Sequence, residues 1–233
     1  MVGRVPNSLK VISQQRGTAM DRATFALPRV ISEKSPAQQE FTLISTWVRR
    51  RLGNIDHEKR VFQIAGALFD MTRDLHGLGR RSRWSLYAGA LVHDVGRSVD
   101  PDEHPAIGSE MLLEDTTLGF TAEVRRSLAY LTLYHRGAVP EPGDDDILRP
   151  SDDLEGLYKV LALLRAADTL DCRSIDPPRL VIVRRDRRLR VSCLLEKYST
   201  RAEKAFRRRK KFRLLEETLN CKFEVQVRPD REV

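Results

Sequence analysis

The string LYAGALVHDVGR, Leu86–Arg97, decides how this chain is read. Leu86 to Val92 is uncharged and largely apolar, His93-Asp94 follows at once, and Gly96 stops the pattern. Ser85–Val92, among the longest uncharged apolar runs in the chain, has eight residues, far short of the roughly 20 needed to cross a bilayer. Trp84–Val95 therefore reads as a short, strongly apolar helix for the core of a globular protein. A carboxylate on such a face is costly unless something compensates it.

Outward from that helix the pattern stays helical in both directions. On the N-terminal side, Phe41, Leu43, Ile44, Trp47 and Val48 share a stripe between Pro36 and Gly53-Asn54. Val61, Ile64, Ala65, Leu68 and Phe69 then share a face between Asp56 and His76. On the C-terminal side, residues 104–114 and 121–136 read as two helices separated by a turn around Gly119, and Pro140–Pro150 as an acidic, Gly/Pro-bearing loop. Leu154–Asp171 is the longest clean amphipathic stretch, with Leu157, Leu161 and Leu164 on its core face.

At Asp176-Pro177-Pro178 the period changes to that of a strand. Leu180-Val181-Ile182-Val183 and Leu189, Val191, Cys193 predict two strands around a polar turn at Arg185–Arg188. Ser199–Asn220 reads as a helix with Ala202, Ala205, Phe206, Phe212, Leu215 and Leu219 inward, and Phe223, Val225 and Val227 as a closing strand. The predicted fold class is mainly α, a helical core of about six helices followed by a small C-terminal β-β-α-β lobe. The expected domains are an N-terminal arm over 1–35, poorly ordered, extended or flap-like; a helical domain over 36–176; and a small basic α+β lobe over 177–233. No internal repeat is visible.

At 233 residues and 26.7 kDa the chain fits one medium domain or one domain with a small appendage, large enough to bury a core without staples. Its net charge of +8 is unevenly spread: Arg179 to Val233 carries +10, residues 1–178 carry −2. An anionic partner or substrate would be drawn to the basic end, and a solvated surface without a partner accounts for the count equally well. Cys172, Cys193 and Cys221 form no CxxC pair, and Met1–Gly17 has no apolar segment of the signal-peptide type. The expectation is a reduced, cytoplasmic protein without membrane contact.

Five histidines occur. Val61, Ile64 and Leu68 lie four, seven and eleven residues after His57, which therefore shares a buried stripe. His135 sits four after Leu131 and seven after Leu128, and Asp168 sits four, seven and eleven after Leu164, Leu161 and Leu157. Singly, an inward histidine is more often a hydrogen-bonded core residue than a ligand, and Asp168 could have Arg165 or Arg173 for a partner. A shared cation would compensate all of them at once. Adjacent helical residues diverge by about 100°, so His93 and Asp94 grip one ion only where their turn lies deep in the core. Imidazole with carboxylate suits divalent Mn, Fe, Zn, Co or Mg.

The order His57, His93-Asp94, Asp168 resembles the HD-domain metal-dependent phosphohydrolases, a helical superfamily named for that pair. LVHDVGR (Leu91–Arg97) is similar to its core motif and RAADTLD (Arg165–Asp171) to its closing aspartate helix. HPAIGSEML (His104–Leu112) resembles the HPxxGxxxL string of two-metal members, with LYHRG (Leu133–Gly137) in the place of a further histidine. The resemblance implies a first ion on His57, His93, Asp94 and Asp168, and a second on His104, His135 and a bridging Asp94. A narrower likeness, from His57 to the region of Val227, is to the C-terminal HD domain of exopolyphosphatase / guanosine pentaphosphate phosphatase (Ppx/GppA) proteins. It rests on LFDMTRDLHGLG (Leu68–Gly79), Gly119-Phe120, YHRG (Tyr134–Gly137) and the Pro177-Pro178 entry into the tail. In that family the domain follows an actin-like domain carrying the phosphatase site, and many members have lost parts of the ligand set. Retention of every position here argues for catalysis of its own. The Gly-Tyr-Pro string of cyclic-di-nucleotide esterases is absent after His135, which disfavours that substrate.

The implied activity is hydrolysis of a phosphoanhydride or phosphoester, in a nucleotide or polyphosphate-like substrate, by water activated on one or two divalent ions. Asp94 bridges the ions, and Arg97 and Arg136 aid the developing charge, unless they are surface arginines near helix ends. His76 fits none of the metal positions and reads as a cap or packing residue near Gly77. Arg207–Lys211 wraps most of the way round its helix and reads as a solvated or partner-facing surface, or as a feature for polyphosphate, nucleotide or nucleic acid. Asp144-Asp145-Asp146 reads as a solvated turn. One rival is a non-catalytic regulatory module that binds polyphosphate, nucleotide or RNA through the basic lobe. Another is a dimerisation unit whose histidines are structural. The expected partner is a phosphorylated small molecule or polyphosphate; nucleic acid is not favoured, and a homodimer stays open.

Overall fold

A computed structural model describes residues 10–13, 36–141, 144–207 and 209–230. The chain divides into two compact units, one spanning 31–168 and the other joining 1–30 to 169–233. The division thus falls after Asp168, whereas the change of sequence period comes at 176. The fold is mainly α. The arm expected over 1–35 lies outside the described residues except for Lys10–Ser13, which is a strand.

The helical unit is built from α1 (Pro36–Leu52), α2 (Asp56–Met71), α3 (Arg73–His76), α4 (Arg80–Val92), α5 (His104–Glu114), α6 (Ala122–Tyr134) and α7 (Leu154–Thr169). α1 places Arg49, Arg50 and Arg51 in its last turn, where the helix dipole favours cations. It ends at Gly53, whose φ of +73° only glycine adopts without strain. α4 is buried along Ser85, Leu86 and Ala88–Val92, and it packs against α1, α2 and α6. An uncharged run with small residues on every side suits this central place. α7 is apolar almost all round, with Val160, Leu161, Leu163, Leu164, Ala166 and Ala167 fully buried.

The second unit is a four-stranded sheet in the order β1-β2-β3-β4, formed by β1 (Lys10–Ser13), β2 (Arg179–Arg185), β3 (Arg188–Leu195) and β4 (Lys222–Pro229). β1 runs parallel to β2, β2 antiparallel to β3, and β3 parallel to β4. Alternation puts Leu180, Ile182, Leu189, Val191, Cys193, Leu195, Phe223 and Val227 in the core. The single helix expected over Ser199–Asn220 is instead α8 (Thr200–Phe206), a 3-10 turn at Arg209–Lys211, and α9 (Arg213–Thr218). Phe206 and Phe212, six residues apart, would point about 120° apart on a continuous helix. Both are buried, Phe212 stacking on Phe223 at 4.5 Å between ring centroids, and the break is what allows it. Successive like charges from Arg207 to Lys211 also weaken a helix at that place.

Candidate metal centre

α4 carries the polypeptide into the middle of the helical unit and releases it there. His93 keeps helical dihedrals, and Asp94 leaves them at φ −104° and ψ 8°, ahead of a 3-10 turn at Val95–Ser98. That departure removes the divergence two adjacent helical side chains would have, and His93 Nε2 comes to 3.8 Å from Asp94 Oδ1. The turn sits against the start of α5 through two glycines. A Cβ added at Gly96 would stand 2.2 Å from the His104 carbonyl oxygen and 2.6 Å from the Gly108 nitrogen. This approach delivers His104 from the α5 N-terminus, while His135 is the C-cap that follows α6. His57 lies in the first turn of α2 and Asp168 in the last turn of α7.

All six side chains are buried, and they converge. In a first group, His57 Nε2 lies 3.3 Å from His93 Nε2, 3.2 Å from Asp168 Oδ1 and 3.8 Å from Asp94 Oδ2. His93 Nε2 is 3.6 Å from Asp168 Oδ1. In a second group, His104 Nε2 and His135 Nε2 face each other at 3.2 Å and lie 3.1 and 3.4 Å from Asp94 Oδ1. Asp94 therefore turns one oxygen toward His57 and the other toward His104 and His135.

The protonation state follows from the backbone. The Nδ1 atoms of His93, His104 and His135 lie 3.0, 2.7 and 2.6 Å from the carbonyl oxygens of Ala90, Pro101 and Thr132. A carbonyl only accepts, so each Nδ1 carries a proton, and in the neutral form of each ring the lone pair lies at Nε2. Lone pairs facing each other at little over 3 Å repel unless a proton or a metal cation stands between them. Ligand atoms held about 2.0–2.2 Å from one ion stand roughly 3–3.5 Å from one another, the range seen throughout the second group, while the first spans 3.2–3.8 Å. The donor set and its carbonyl anchoring fit divalent metal, with His57, His93 and Asp94 as one grouping and Asp94, His104 and His135 as another. Burial works against the charge of Asp94, but His93, His104 and His135 outweigh it and hold the carboxyl far below its usual range. Asp168 is likewise held low against burial, by His57 and His93. Burial lowers the His135 imidazole on balance, whereas at His93 burial is outweighed by Asp94 and Asp168 together, which raise it.

The other residues singled out fall around this cluster. Arg97 Nε is 3.9 Å from Asp94 Oδ2, and Arg136 is exposed beside His135. His76 stands apart: its Nε2–H donates to the Phe69 carbonyl and its Nδ1 accepts from the Leu78 amide, so it ties the end of α3 back to α2. Sequence reasoning missed the carbonyl anchors, although each lies three residues before its histidine. It also read Gly96 as a helix stop, where it is a close-contact position paired with Gly108.

Fold and site together define a mainly α protein with a buried histidine–aspartate cluster able to take divalent metal. The chain belongs to the Ppx/GppA phosphatase family, whose domain III matches residues 50–224. That stretch contains all six converging side chains. No curated protein gives a significant match to the chain, and among the described residues no helix is long and apolar enough to cross a membrane.

Proposed function

We propose that this protein is an HD-type metal-dependent phosphohydrolase that cleaves a phosphoanhydride or phosphoester in a nucleotide or polyphosphate-like substrate. The observation that carries the reading is the pair of facing Nε2 couples, His57/His93 and His104/His135, with Asp94 between them. Membership of a phosphatase family supports the reaction class. Divalent ions in such a centre lower the pKa of water and polarise phosphoryl oxygens. The protein's own part is to hold His93, His104 and His135 with Nε2 unprotonated, through their carbonyl anchors. Asp94 sets the spacing between the two groups, and Asp168 completes the first. Arg97 and Arg136 bring positive charge to the phosphoryl oxygens as charge shifts to the leaving group.

The test is metal analysis of the purified protein, then hydrolysis of an aryl phosphate, a nucleoside triphosphate and polyphosphate with and without Mn(II). Bound divalent metal and Mn-dependent turnover that Asp94→Ala abolishes are expected. A protein that holds no divalent ion, or whose hydrolysis survives Asp94→Ala unchanged, overturns the reading.

A further inference from the structure

Arg165, for which the sequence suggested Asp168 as partner, makes a different contact. Its Nη1 donates to the carbonyl of Tyr134 at 2.5 Å and its Nη2 to the carbonyl of Gly137 at 2.8 Å. His135 and Arg136 are the two residues between those carbonyls. Tyr134 ends α6, so its carbonyl lacks an intrahelical partner, and Gly137 turns the chain at a φ of +73°. The guanidinium thus closes a clamp across the turn that presents His135. Arg165 lies on α7 three residues before Asp168, so both project from nearly the same side of that helix. One helix supplies a carboxylate to the first group and fixes the backbone of a histidine in the second.

We propose that Arg165 is a positioning residue: it fixes the turn carrying His135 and thereby makes the second ion position tight. This rests on the metal-centre reading above. The Nδ1 bond to Thr132 sets the ring of His135, and Arg165 sets the backbone the ring hangs from. A planar guanidinium can span two carbonyls, whereas an ammonium is a single point charge, so lysine replaces it only in part.

The experiment counts Mn(II) ions per chain by mass spectrometry after dialysis, titrates their affinities, and records the Mn(II) electron paramagnetic resonance spectrum. The wild type is expected to hold two ions with a spin-coupled signal. Arg165→Met is expected to keep the first and to bind the second about 10- to 100-fold more weakly, leaving an uncoupled signal. Arg165→Lys, which keeps the charge and guards against a folding failure, should fall between them. Arg126→Met breaks another arginine clamp on α6, the one to Asp152; it should lower Tm and leave both ions in place. If the wild type binds no divalent ion, the hydrolase reading falls and this inference with it. If the wild type binds two and both Arg165 variants keep them with unchanged affinity, or lose both together, the inference alone falls.

Discussion

Replacing Gly96 by alanine tests how tightly the site is built. The new methyl carbon would lie 2.2 Å from the His104 carbonyl oxygen and 2.6 Å from the Gly108 nitrogen, where 3.4 Å begins ordinary contact. Both obstacles are backbone, so no rotamer change relieves them, and the turn after Asp94 and the start of α5 must separate by about 1 Å. Overpacking of this kind costs about 2–3 kcal/mol. At about 2–4 °C per kcal/mol for a chain of this size, the Tm of the metal-free protein should fall about 4–12 °C. The same separation acts on the 3.1 Å approach of His104 Nε2 to Asp94 Oδ1, so uptake of a second Mn(II) should weaken along with stability. Thermal and urea unfolding in chelator, with a parallel Mn(II) titration, read both effects. Gly79→Ala is the control: a Cβ there meets nothing within 4 Å, so only its place at the N-cap of α4 is at stake, and its cost should stay within about 1 kcal/mol. A Gly96→Ala protein that matches Gly79→Ala in melting and in metal uptake refutes the reasoning.

Leu161→Ala, at a fully buried position of α7, should cost about 2–5 kcal/mol, seen as a lower urea midpoint at unchanged slope. Asp152 takes two hydrogen bonds from Arg126, which hold its carboxyl below the usual range. A depressed carboxylate stabilises above its unfolded pKa and stops doing so as pH falls through its folded value. Asp152→Asn should therefore cost about 1.5–3 kcal/mol at neutral pH, with the difference fading below about pH 4 in urea melts; a difference that grows in acid counts against it. Chelator should lower the wild-type Tm by the lost binding energy, about 2.7 kcal/mol at a free-ion level one hundred times Kd, and should leave the Asp94→Ala melt unmoved.

Much of the helical unit is legible because its apolar residues recur at helical spacing over long stretches, and the same count put His57, His135 and Asp168 on buried faces. The convergence of His93 with Asp94 is not legible from spacing, since it depends on one residue leaving helical dihedrals. Nor are the partners of Arg165 and of the histidine Nδ1 atoms: they are carbonyls, and a carbonyl has no letter of its own. β1 is four residues long and finds its partner in β2 across most of the chain, so no local pattern announces it. The break between α8 and α9 was visible in principle, because Phe206 and Phe212 would diverge by about 120° on one helix, too wide for both to be fully buried on a narrow face.

The two groups differ in a way that bears on anion binding. With their Nδ1 protons given to carbonyls, the rings of His93, His104 and His135 turn Nε2 to the cluster, while Asp94 and Asp168 bring two buried negative charges. Without metal, protons offset such charge, and they settle unevenly: the imidazolium is favoured at His93 and disfavoured at His135. Of these two rings His135 is the proton-poor one, and its Nε2 faces that of His104 at 3.2 Å. A proton between them satisfies one couple, whereas a divalent ion satisfies both and Asp94 Oδ1 as well. One such ion would cancel the two carboxylates, and a second would leave a surplus of two positive charges, the complement of a phosphoryl dianion. On the proposed two-ion reading, the step from neutral to cationic would belong to the second position. The most demanding packing in the site, Gly96 on Gly108 and Arg165 across the His135 turn, is gathered around that position.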